Sequence, residues 1–120
     1  MKTDNPIVDK SKAFAIRIIR MCQHIEAEKK ENILSRQILR SGTSIGANIR
    51  EALSAQSTAD FIAKMQIALK ETSETEYWLE LLEETEYISE EAGRSLYEDC
   101  GELLKMITAI LKTTKDNQSK

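Results

Sequence analysis

The chain has 120 residues, one domain's worth, and a formal net charge of −3. One proline, Pro6, and four glycines leave few breakers, and 31% charged residues favour long helices over a strand-and-turn fold. The apolar stretch Ala13 to Cys22 is cut by Arg17 and Arg20, which excludes a signal segment or membrane span and points to the cytoplasm.

The first helix is expected over about 6–28, with Pro6 in its first turn, where a missing N–H has no partner to lose. Its stripe is Phe14, Ile18, Met21 and Ile25, flanked by Ala15, Ile19 and Cys22. The polar run Glu28 to Asn32 connects it to a second helix over about 33–55, capped by Asn32 or Ser35. Leu34, Ile38, Ile45, Ile49 and Ala52 form that stripe. Its interior Ser41-Gly42-Thr43-Ser44 reads as loop by propensity. The apolar period nevertheless continues through it in register, so helix is expected, with small residues admitting a close neighbour.

Gln56-Ser57-Thr58 is the next connection, and Ser57 followed by Asp60 fits a capping pattern. A third helix over about 58–86 carries Phe61, Met65, Ala68, Thr72, Thr75, Leu79 and Leu82 in 4-3 steps. A second stripe, Ile67, Glu71, Glu74, Trp78 and Leu81, runs beside it. Tyr87-Ile88-Ser89 connects to a fourth helix over about 89–113, capped by Ser89 and carrying Leu96, Cys100, Leu103, Ile107 and Ile110. The polar tail 114–120 is expected to fray. Short connections make each helix antiparallel to the one before it, giving an all-α, up-down-up-down four-helix bundle.

Charge is separated along the chain. Residues 1–70 carry 12 Lys/Arg and 7 Asp/Glu, residues 71–102 carry 1 and 12, and residues 103–120 carry 4 and 1. In an antiparallel bundle the acidic third connection lies at the same end as a basic hairpin holding Arg17, Arg20, Lys29, Lys30, Arg36 and Arg40. Glu80, Glu83, Glu84 and Glu86 sit near the negative C-terminus of the third helix. The compensating cations come from the same chain or from a neighbour. A neighbour implies a head-to-tail contact, for which Arg36, Arg40, Tyr77, Trp78, Leu81 and Glu84 are the candidates.

Two blocks are specific. The run Gln37-Ile38-Leu39-Arg40-Ser41-Gly42-Thr43-Ser44-Ile45-Gly46-Ala47-Asn48-Ile49-Arg50-Glu51-Ala52 is the first. The second runs from Asp60-Phe61-Ile62-Ala63-Lys64 through Ile67-Ala68-Leu69-Lys70-Glu71 to Glu74-Thr75-Glu76-Tyr77-Trp78-Leu79. Together they resemble a bacterial family of four-helix bundles, the intervening-sequence proteins, some of which are encoded inside inserts in 23S ribosomal RNA genes. The resemblance implies a left-handed bundle, assembly as a ring of five, and no established enzymatic activity. A related branch, accessory proteins of diversity-generating retroelements, is also pentameric but basic, and binds nucleic acid. This chain departs from it in its net acidity.

Site chemistry is sparse. His24 is the only histidine and has no sequence-local nucleophile. Glu71 and Glu74 share a face with Trp78, but a di-metal bundle needs Glu-x-x-His motifs that are absent. No phosphate-binding glycine motif occurs. No metal, cofactor or small-molecule substrate is expected, and no enzyme. Asn48 adjoins the buried stripe, and a buried amide needs partners. Arg40, Ser41, Ser44, Glu51, Glu71 and Glu74 are candidates for a polar clasp with it across the second and third helices. Two functional readings follow, both non-enzymatic. One is a homo-oligomeric scaffold or adaptor; the other is an RNA- or DNA-binding accessory protein using Arg17, Arg20, Lys29, Lys30 and Arg36. Cys22 and Cys100 have no metal-ligand spacing and are offset by ~6–9 Å along the bundle at 1.5 Å per residue, so two buried, unbridged thiols are expected.

Overall fold

The small polar run at Ser41 to Ser44 is helical throughout. Its hydroxyls turn back onto the preceding turn, with Thr43 Oγ1 2.7 Å from the Leu39 carbonyl and Ser44 Oγ 2.6 Å from that of Arg40. Gly42 and Gly46 let a neighbouring helix approach. A Cβ on Gly42 would stand 3.0 Å from Ile18 Cγ2, and one on Gly46 would stand 3.2 Å from Ser11 Oγ. The computed structural model describes residues 2–119 and contains α1 (Pro6–Lys29), α2 (Ile33–Leu53), α3 (Thr58–Glu84) and α4 (Glu90–Gln118). Met1 and Lys120, the ends of the expected domain and tail, lie outside the described residues.

Cross-helix pairs fix the directions. Gly42 meets Ile18 and Gly46 meets Ser11, so α1 and α2 run oppositely. Arg40 pairs with Glu71 and Glu51 with Lys64, which does the same for α2 and α3. Gly93 lies by Glu83 and Cys100 by Thr72, across α3 and α4. Arg17 pairs with Asp99 and Lys10 with Glu102, which closes α1 onto α4. Each helix contacts its chain neighbours, the α2–α3 seam is the most extensive and the α1–α4 seam the least, and the diagonal pairs do not meet among the described residues. The result is an all-α four-helix bundle measuring 52 × 26 × 23 Å.

The core is aliphatic, as the composition implies: Ile18, Ile25, Ile38, Ile45, Ile49, Leu82, Leu103 and Ile107 are fully buried around a single aromatic, Phe14. Each stripe shifts from expectation at one place: Leu34 and Phe61, near the starts of α2 and α3, are only partly buried. Cys22 rather than Met21 faces the core of α1, and Leu111 rather than Ile110 ends the buried stripe of α4. Cys22 and Cys100 form no disulfide. Burial, reinforced by Glu26 and Glu31, pushes the Cys22 thiol up to about 11. Burial, then Glu76 and Asp99, pushes Cys100 up to about 12. Both thiols are therefore poor nucleophiles in the folded chain.

Helix ends differ in instructive ways. Ser57 Oγ accepts the Asp60 N–H and Ser89 Oγ the Ala92 N–H, each at 3.1 Å. Neither Asn32 nor Ser35 caps α2. Asn32 makes no side-chain cap bond and Ser35 lies inside the helix, buried. The Glu31 carboxylate takes the role, accepting from the backbone of Ile33, Leu34 and Ser35 at 2.9–3.0 Å. The second helix stops at Leu53, two residues short of expectation. The third stops at Glu84 because Glu86 adopts a left-handed φ of 66° and the chain reverses, with the Tyr87 N–H donating to the Leu82 carbonyl. The fourth continues to Gln118, so the expected frayed segment is helical up to that residue. Leu111 anchors it, and no glycine or proline follows Gly101 to stop it.

Partial burial raises the Glu31 carboxyl, but the backbone bonds from Leu34, Ser35 and Ile33 and the Ser35 hydroxyl outweigh it and hold it below the ordinary value. A depressed carboxyl stabilises the fold above its unfolded pKa of about 4.3, and that contribution is lost as pH falls through the lower folded value. Glu31→Ala should therefore cost about 1 kcal/mol near neutral pH, the usual scale of a lost cap. Denaturant melts at successive pH values should show the gap between variant and parent closing below pH ~4. A gap independent of pH would remove the carboxylate from the argument.

Candidate functional site

The α2–α3 seam carries the densest polar chemistry. Arg40 Nη1 lies 3.0 Å from Glu71 Oε2, and Nη2 pairs with Glu74. Trp78 Nε1 donates to the same Glu74 carboxylate at 3.0 Å. Beneath this exposed layer the hydroxyls of Ser41 and Thr75 lie 2.9 Å apart in the buried interior, and Thr75 Oγ1 also donates to the Glu71 carbonyl. Arginine's planar fork spans two carboxylates one turn apart on α3, fixing the register of α2 against it.

Of the residues expected in a clasp, Arg40, Ser41, Glu71 and Glu74 are brought together. Asn48 is not part of the group. It is half-buried, and its Nδ2 donates to the Ser44 carbonyl 2.8 Å away, one turn back in its own helix. Ser44 likewise bonds within α2, and Glu51 reaches Lys64 at 3.7 Å, well down the seam. An amide one turn from a helical carbonyl satisfies itself locally, which spacing alone does not reveal. Thr75 and Trp78 are the partners that pattern reading missed. Thr75 looked like an ordinary stripe residue, although a hydroxyl at a core position signals a needed partner.

The candidate contact residues lie toward the same end of the bundle, Arg36 and Arg40 on α2 and Tyr77, Trp78, Leu81 and Glu84 on α3, but Glu84 faces the cleft on the α1 and α4 side rather than the α2–α3 seam. Tyr77 is 54% exposed, with its ring 5.2 Å from that of Trp78. Leu81 is half-buried, and Arg36 and Glu84 are exposed. Ile33, at the start of α2, is 73% exposed.

The basic set is divided. Arg17 is committed within the chain, to Asp99 at 2.6 Å and Ser95 at 3.0 Å. Arg20 and Lys29 line an open cleft of ≈ 1120 Å³ beside His24. Its floor includes Met21, Ile88 and Leu96, and its opposite wall is Glu83, Glu84, Glu86 and Glu90. Lys30 ends α1 with a left-handed φ of 56° and, like Arg36, is exposed. Part of the unfavourable charge at the end of α3 is met inside the chain. Glu83 packs so closely over Gly93 in the first turns of α4 that an added Cβ would overlap its carboxylate, which lies toward that helix's positive end. On the α3–α4 face the charge is less relieved. Burial and Glu80 raise the Glu76 carboxyl, and Glu76, burial and Glu80 raise the Tyr97 hydroxyl. Among the described residues no group of three or more His, Cys, Asp or Glu is placed to hold a metal ion. Among the described residues no helix is long and apolar enough to cross a membrane.

The family model for the 23S rRNA-intervening sequence protein matches residues 3–109. The chain belongs to that family. It is similar to a crystal structure of a protein of unknown function from the S23 ribosomal protein family of Bacteroides thetaiotaomicron. The two share 57% identity with a TM-score of 0.87, over 88% of this chain and 98% of that one. No curated protein matches. The matched span takes in the Arg40 cluster, the Tyr77–Trp78 pair and both blocks that carried the resemblance. The family indicates no reaction.

Proposed function

We propose that this family member is a non-catalytic, homo-oligomeric scaffold or adaptor of the cytoplasm, built as a closed ring of five. The observation that supports it most is the outer end of α3, where Tyr77 stands exposed against Trp78, with half-buried Leu81 one turn on and Arg40 reaching Trp78 through Glu74. An exposed aromatic with charge nearby suits a protein contact, with apolar burial supplying affinity and charge setting orientation. The Arg40–Glu71–Glu74 fork anchors Trp78 through the bond from its Nε1 to Glu74. Light scattering after size exclusion at micromolar concentration and moderate salt should give five times the 13.6 kDa chain mass. A monomer would end the reading, and a symmetric dimer would end the head-to-tail ring.

A second reading, nucleic-acid binding, draws on Arg20, Lys29, Lys30 and Arg36, which have no ion-pair partner among the described residues. Its test is RNA or DNA affinity that falls steeply with salt.

A further inference from the structure

A ring needs two different surfaces, and the outer end of α3 is one of them. The outer edge of α1 offers the other. There Ile16 is 44% and Ile19 37% exposed, and both lie between Lys12 and Arg20 in the sequence of a continuous helix. On α3, exposed Tyr77 and half-buried Leu81 are neighboured along the helix by exposed Glu80, on the side toward α4, and exposed Glu84, at the rim of the cleft. Lys12, Arg20, Glu80 and Glu84 have no ion-pair partner among the described residues. We infer that the α1 edge of Ile16, Ile19, Lys12 and Arg20 receives the neighbouring copy's α3 edge of Tyr77, Leu81, Glu80 and Glu84. This inference rests on the ring reading above and names the surface that completes it.

Three features support the pairing. Apolar residues are available on both edges, so the contact can bury surface as well as match charge. The two helices that would meet are complementary in charge: α1 carries five Lys/Arg and three Asp/Glu, whereas α3 carries two and seven. Two α3 edges meeting each other would set Glu80 and Glu84 against their own copies, which disfavours a self-complementary dimer. The third feature is height. A closed ring of bundles standing along its axis involves no net rise, so donor and acceptor must sit at the same level. Ile18 lies level with Gly42, and Ser41 is level with Thr75. Ile19 and Tyr77 therefore differ in height by only about two residues, or ~3 Å.

Within one chain α1 and α3 are diagonal and do not meet, so a link between these edges can arise only between copies. Four double variants test this: Ile16→Cys or Ile19→Cys, each combined with Tyr77→Cys or Leu81→Cys. After mild oxidation, a denaturing non-reducing gel of at least one should show a ladder of covalent multimers, while every single variant runs as one chain. The native thiols are buried and should not contribute. A closed ring by mass with no ladder from any pair overturns the acceptor surface and leaves the ring standing. Dimers from a single variant overturn both, as does a monomeric parent. Arg20→Glu and Glu80→Lys should each raise the dissociation constant about tenfold, and the combined variant should recover assembly; no recovery counts against the pairing.

Discussion

Gly42→Leu should lower stability by about 3 kcal/mol and the melting temperature by roughly 10 °C. The position is fully helical, so a side chain there gains about 1 kcal/mol in helix propensity over glycine. That gain is overwhelmed. The new Cβ alone would stand 3.0 and 3.1 Å from the branched carbons of Ile18, a side chain that is itself fully buried and cannot retreat. The remaining leucine atoms have to displace α1. Gly101 provides the control, since nothing lies within 4 Å of a Cβ built on it. Gly101→Ala should raise stability by about 0.5–1 kcal/mol. Thermal melts of the two variants should move in opposite directions, and a neutral Gly42→Leu would mean that α1 and α2 are not held together at this point.

Arg40→Leu should cost about 2 kcal/mol, between the limits for exposed and buried ion pairs. The guanidinium is half-exposed, but the Glu71 side chain it covers is only 17% accessible. Removing the cation leaves two carboxylates one turn apart with no partner across the seam. Adding Glu71→Gln and Glu74→Gln to the Arg40→Leu variant should recover more than half of the loss. A loss that persists unchanged would assign Arg40's contribution to its aliphatic stem. The variant also bears on assembly. If Arg40 serves by positioning Trp78 through Glu74, ring formation should weaken beyond what the stability loss predicts.

The helices were legible because period outweighs propensity over long segments. Ser41 to Ser44 is the clearest case, since Ile38 and Ile45 keep one face across it and the hydroxyls are absorbed by carbonyls one turn back. Stripe residues such as Phe14, Ile18, Met65 and Leu103 followed from the same spacing. What stayed hidden depends on geometry finer than spacing. Met21 and Cys22 are both compatible with the α1 stripe, and only the crossing of α1 with α2 selects Cys22. Glu31 as a cap requires a carboxylate folded back over three N–H groups, an arrangement that the usual capping residues do not suggest. Asn48 falls outside the cluster because sequence shows which neighbours an amide has along the chain but not that the nearest carbonyl, at Ser44, is already enough. Arg40, Glu71 and Glu74 could be named from their positions as partners for Asn48 across the seam, but that they pair with one another depends on the register of α2 against α3. The commitment of Arg17 to Asp99 depends on the register between α1 and α4 at residues 82 apart in the chain, which spacing within one helix does not reveal.

The uneven seams have a consequence for how the chain moves and folds. The α2–α3 hairpin is held by the arginine fork, the Ser41–Thr75 hydroxyl pair and the most extensive packing, whereas α1 and α4 close on each other least and part around the cleft. Amide protons along α2 and α3 should therefore exchange with solvent only on global unfolding, and those of α1 and α4 flanking the cleft through smaller openings. The central hairpin would then form early, with the first and last helices docking onto it afterwards. The α1 edge offered to a neighbour would thus belong to the more loosely held half of the molecule, and binding that neighbour would tighten it.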